Sequence, residues 1–176
     1  MMWLLSVLAF LTLGTYLVAL GIRYGVPSMV SDTYYQLQKS RHCGWVFSLV
    51  MVMVAFIMLA CIMDLGKGIQ CLAFLGCGGL AFVGAAPNYC DGSEYKVHKA
   101  GAIVAAIGCV GWCLSVCWWV TLCTLLAYAL YLGTMEFLKA LNGIWYFSRK
   151  LECHPWYWAE VAGFANTFIT YWIVSL

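Results

Sequence analysis

Three histidines, each with a cysteine close by, are the first residues of this chain whose types could do chemistry: His42 beside Cys43, His98 shortly after Cys90, and His154 beside Cys153. Asp32, Asp91, Glu94 and Glu152 fall in the same three polar segments. Imidazole, thiolate and carboxylate together are what a zinc-type ion prefers, so His42, His98, His154 and Asp91 are candidate metal ligands. The spacing adds nothing, because no Cys-x-x-Cys or His-x-x-x-His pair is present. Interfacial residues bonded to water, lipid phosphate or helix ends would account for the same cluster, and that reading is favoured. No cofactor is therefore expected, and zinc would enter only if these groups converged.

Glu160 is the sharper feature. It lies in Trp156-Tyr157-Trp158-Ala159-Glu160-Val161-Ala162-Gly163, about a turn and a half into a final apolar run. A charged carboxylate inside a membrane costs about 3 kcal/mol or more unless it is paired, protonated or wetted. His98 or Lys99, at the matching depth on another run, is its expected partner. Together with Ser31 and Asp32, Glu160 and His98 form a candidate polar site for a proton, an ion or a headgroup. A single bond fixing helix register would explain Glu160 equally well.

Ser31-Asp32 and Tyr34-Tyr35 offer a hydroxyl, a carboxylate and two phenols at headgroup depth. A serine nucleophile needs a positioned base, which His98 or His42 could supply only through tertiary contact. No Gly-x-Ser-x-Gly, phosphate-binding loop or dinucleotide fingerprint is present, which argues against a nucleotide-driven enzyme. The residue types overlap with those of the intramembrane metal hydrolases that include alkaline ceramidases. Those proteins carry a paired His-x-x-x-His in a seventh span, and this chain has Glu160 and no such pair there. It is therefore not assigned to them.

The elements that must position these groups follow from composition. Of 176 residues, 65% are hydrophobic and only 9% charged, with a mean hydropathy of +0.90. A soluble core of this size could not hide so much apolar surface, so lipid is the expected solvent. A net charge of +2, with no basic run longer than two residues, gives no footprint for nucleic acid. The expected fold is all-α: a polytopic transmembrane bundle of about six spans, at 2–22, 43–63, 69–86, 98–115, 119–140 and 156–175, in a single domain over 1–176. The first run has no basic region before it and no cleavage site, and reads as a retained helix. Ser28 to Arg41 suits a short interfacial helix.

From His98 to Leu141 the chain is almost wholly apolar, and one helix of that length would be about 65 Å long, twice the hydrocarbon thickness. A fold-back around Ser115 to Trp119 is expected, with Trp112, Trp118 and Trp119 in an interfacial belt. His98, Gly101, Ala105, Gly108 and Trp112 share one face, which suits close packing on the third run with its Gly76, Gly78, Gly79 and Gly84. Cys109, Cys113 and Cys117 share a face too and read as packing residues. Cys43, Cys90 and Cys153, on the side assigned to the cytoplasm, are expected to be free thiols.

Loops after the first, third and fifth spans hold eight of the nine basic residues: Arg23, Lys39, Arg41, Lys96, Lys99, Lys139, Arg149 and Lys150; Lys67 is alone opposite. The positive-inside rule makes that side cytoplasmic, with both termini non-cytoplasmic, in a plasma or inner membrane. Three functions fit: an oligomeric channel- or transporter-like protein, a non-catalytic interaction, assembly or immunity-type factor, and a metal-dependent lipid-modifying enzyme of the cytoplasmic leaflet. Lipids, with a second copy or a membrane protein partner, are the expected contacts. An enzyme ranks last.

Overall fold

The computed structural model describes residues 1–90, 92–145 and 154–176, with side chains described outside 141–145. Asp91, Glu152 and Cys153 lie outside the described residues, as do Arg149 and Lys150.

The described chain is all-helical. Helix α1 spans Met2–Tyr24 and ends where Pro27 forbids continuation and Gly25 takes a φ of 82°. A 3₁₀ turn, Val30–Asp32, leads into the short α2, Thr33–Arg41, where the polar segment was expected to form an interfacial helix. Then follow α3, Trp45–Leu65, and α4, Gln70–Ala85, joined by a tight turn in which Gly66 and Gly68 take φ of 66° and 74°. A long α5, Gly92–Trp145, and α6, Pro155–Ser175 with proline in its first turn, complete the order. Three described helices are long and apolar enough to cross a membrane: α1, α3 and the Gly92–Ala140 part of α5, while α4 is a shorter apolar helix.

Helix α5 is not one rod. Cys117 has φ −151° and ψ 71°, which breaks the helical path inside the stretch where a fold-back is expected. Its contacts with α6 give the direction of each half. Before the break, Cys109 meets Thr167 and Cys113 meets Thr170, so that half runs parallel to α6. After it, Thr121 and Thr124 both meet Asn166, and Tyr128 donates to the Pro155 carbonyl at 2.9 Å. That half runs antiparallel, so the chain reverses at Cys117.

The glycine face works as expected. Helices α4 and the first half of α5 approach until Gly76 lies against Gly108, and Gly79 against Gly101 and Ala105. The buried core is built mainly from α1, α3 and α6 around Phe47, Met51, Val54 and Phe168. Trp112 departs from the aromatic-belt expectation. It is fully buried, with its indole N–H satisfied by the Lys67 carbonyl at 3.1 Å, while Trp118 and Trp119 are exposed.

The contacts also sort the two ends of the bundle. At one end the Cys61 thiol donates to the Met2 carbonyl, Trp172 donates to Ser6, and Lys67 donates to the Val174 carbonyl at 2.9 Å. The other end gathers the 28–32 segment, the start of α5 and the start of α6. Both chain ends therefore share the end that carries Lys67.

Candidate functional site

The 28–32 segment is the frame of the site, and its own residues fold it. Asp32 accepts from the Met29 amide at 3.1 Å and from the Ser28 hydroxyl, closing the turn on itself. Thr33 donates to the Val30 carbonyl at 2.6 Å, and Tyr16 of α1 donates to the Thr33 hydroxyl at 2.7 Å. Tyr157 of α6 donates its amide to the Ser28 carbonyl at 3.0 Å. This short polar stretch is tied on both sides to long helices.

Two of the expected residues converge on it. Glu160 Oε2 accepts the Val30 amide proton at 2.6 Å, and Ser31 Oγ lies 3.0 Å from His98 Nε2. His98 Nδ1 lies 2.8 Å from the Ala86 carbonyl oxygen. A carbonyl can only accept, so Nδ1 carries the ring proton in neutral His98 and Nε2 is left as acceptor for the Ser31 hydroxyl. Ser31 and His98 are both buried, at 6% and 7% exposure. The Tyr89 ring covers the imidazole, with centroids 5.0 Å apart.

The expected direct pairing of Glu160 with His98 or Lys99 is replaced by a shared support. Glu160 and His98 bond adjacent residues of one turn, and Lys99 instead lies over the Tyr95 ring with its ammonium 3.4 Å from the phenol oxygen. The reason is geometric: the 28–32 segment enters the space between α5 and α6 and offers an amide to the carboxylate and a hydroxyl to the imidazole. Asp32 belongs to the site as a brace, bonded to Ser28, Met29 and Tyr89.

Among the described residues, His42, His98 and His154 are not part of a metal-binding group. His42 ends α2 in the left-handed conformation, φ 54°, and is exposed, while His154 precedes the first turn of α6. Among the described residues no three His, Cys, Asp or Glu side chains stand close enough to hold an ion, and Asp91 lies outside them. Cys43 and Cys90 are free thiols, as are the buried Cys113 and Cys117.

Beside the polar turn lies a cavity of about 420 Å³, within the usual range for small-molecule sites. Helices α3, α4, α5 and α6 line it with apolar side chains such as Met51, Val54, Leu80 and Phe164; Ser31 and Glu160 are its polar end. Ile103 of α5 and Trp156 of α6, which also line it, are exposed.

A second polar layer braces this end. Tyr35 donates to Asn88 Oδ1 at 3.2 Å and accepts the Cys90 amide at 2.7 Å, and Glu94 accepts the Asn88 amide at 2.9 Å. Burial is the first cause that pushes the Tyr35 phenol up to about 12. Burial, then the bond to Asp32, pushes Tyr89 up as well.

Sequence reasoning named Ser31, Asp32, His98 and Glu160 but missed three partners: the Val30 amide, the Ala86 carbonyl and Tyr89. Only the second left a signal. Pro87 stops the helix directly after Ala86, and the last carbonyls of a helix need outside donors. No family model matches the chain, and neither the curated proteins nor the solved structures compared with it give a match.

Proposed function

We propose that this chain is a six-span membrane protein that holds a single-chain lipid, its acyl tail in the interhelical cavity and its polar head at Ser31 and Glu160. The observation that carries this is the make-up of the cavity: walls from four helices are apolar but for Ser31, Glu160 and Thr167, and the Thr167 hydroxyl is already bonded to the Gly163 carbonyl of its own helix. An acceptor-rich end favours a headgroup that donates, such as a glycerol or amino-alcohol head, over a bare phosphate. The fold-back at Cys117 supports counting α5 as two spans, and the eight-to-one basic asymmetry supports a cytoplasmic position for the site. Both termini are then non-cytoplasmic.

Transport stays as a second reading, with a lipid as cargo. Apolar walls with the exposed Ile103 and Trp156 among them suit exchange with the bilayer better than an ion path, since ions need polar walls. The outer face of α5, with Leu122, Leu125, Leu126 and Leu130 exposed, suits lipid or a second copy of the chain. Zinc is not part of the proposal, because both nitrogens of His98 already have partners.

The test is binding of a fluorescent monoacylglycerol to the protein purified in a mild detergent. Saturable binding, displaced by unlabelled monoacylglycerol and weakened by Ala106→Trp at the cavity wall, is expected. A folded protein that shows no saturable binding would remove the proposal and leave a non-catalytic interaction factor as the better account.

A further inference from the structure

We propose that Ser31 is an acyl-accepting nucleophile and His98 its general base, which makes the bound lipid an ester substrate as well as a ligand. This rests on the lipid-binding reading above and names its substrate class: an ester of a long-chain fatty acid with a small neutral alcohol.

Three observations join here. The Ser31 hydroxyl lies 3.0 Å from His98 Nε2, the nitrogen that can accept its proton. The Ala86 carbonyl, 2.8 Å from Nδ1, fixes that tautomer and also holds the ring in place as charge develops on it. Ser31 lines the apolar cavity, so an acyl chain lying there ends beside the nucleophile. Helix packing does not require a hydroxyl to face both a cavity and a tautomer-fixed imidazole. Glu160, beside Ser31 on the cavity wall, is placed to accept from the alcohol part of the ester.

The reaction balances with water as the only co-reactant. Ser31 Oγ attacks the acyl carbon as its proton passes to Nε2. The bond from that carbon to the alcohol oxygen then breaks, and Nε2 returns the proton to the departing alcohol. Water attacks the resulting serine ester, giving its proton to Nε2. The acyl–Oγ bond breaks, Oγ takes that proton back, and a free fatty acid leaves.

The test is to incubate the purified full chain with a long-chain alkyl fluorophosphonate and to map the modified residue by mass spectrometry. Modification of Ser31 is expected, absent in Ser31→Ala. His98→Gln is the deciding variant, because a glutamine amide can donate to Ala86 and accept from Ser31 while being no base. It should unfold at the wild-type temperature but be modified at least about 100-fold more slowly. A wild-type protein that binds the probe yet remains unmodified overturns the nucleophile and leaves lipid binding standing. Modification of His98→Gln at the wild-type rate also overturns it, reducing the pair to a structural tie. Failure of the folded wild type in both binding and modification removes both readings together.

Discussion

Gly108 and Gly76 meet backbone to backbone: a Cβ on Gly108 would stand 2.4 Å from the Gly76 amide nitrogen. The α4–α5 contact therefore has no room for one methyl group there, and the neighbour is main chain that cannot rotate away. Gly108→Ala should destabilise the protein by about 1–3 kcal/mol, read as a lower melting temperature in detergent. Gly14→Ala, where nothing stands within 4 Å, should leave it unchanged or raise it. Equal melting temperatures for the two variants would refute this packing argument.

Glu160→Gln separates recognition from architecture. The glutamine carbonyl can still accept the Val30 amide, so the turn should stay seated and thermal unfolding should be little changed. Monoacylglycerol binding should weaken about tenfold, as expected when one of the two carboxyl oxygens that face the headgroup is replaced by an amide nitrogen, equivalent to ~1.4 kcal/mol. A large drop in stability with binding intact would assign Glu160 to helix register alone.

Sidedness is testable at Lys67. Lys67→Cys in a background without other exposed thiols should react with a membrane-impermeant maleimide in intact cells, since the proposed topology puts that turn outside. Native Cys43 and Cys90 should react only after permeabilisation. The opposite pattern would invert the bundle and place the site on the outer leaflet.

Tyr35 gives a pH signature. Its phenol is pushed up to about 12 in the folded chain, from an ordinary value of 10.0, first by burial. A raised value means that the folded state favours the protonated phenol. Its contribution to stability is complete below pH 10 and is lost as pH rises towards 12. Unfolding midpoints across that window should fall less steeply in Tyr35→Phe than in the wild type.

The apolar runs, the glycine face on α5 and the reversal near Ser115 to Trp119 were legible because each is a local pattern: length, helical spacing, or a stretch too long for one crossing. Glu160 was legible as a carboxyl group out of place in an apolar run, and Ser31, Asp32 and His98 as polar groups at headgroup depth. Their mutual geometry was not. Glu160 finds a backbone amide, and an amide leaves no trace in a sequence, since nearly every residue has one. The Ala86 carbonyl that orients His98 left only the indirect trace of Pro87, which ends the helix beside it. Trp112 was misjudged for a related reason: an indole needs a polar partner, which water at an interface and a buried main-chain carbonyl supply equally well.

The bonds that hold Val30 and Ser28 to α6 also set an order of events during synthesis. The turn after α1 is made early, yet the Tyr157 amide and the Glu160 carboxylate that seat it emerge with the final helix. A nascent chain that ends before α6 lacks both groups that seat the turn. Closure of that turn therefore waits on the first turns of α6.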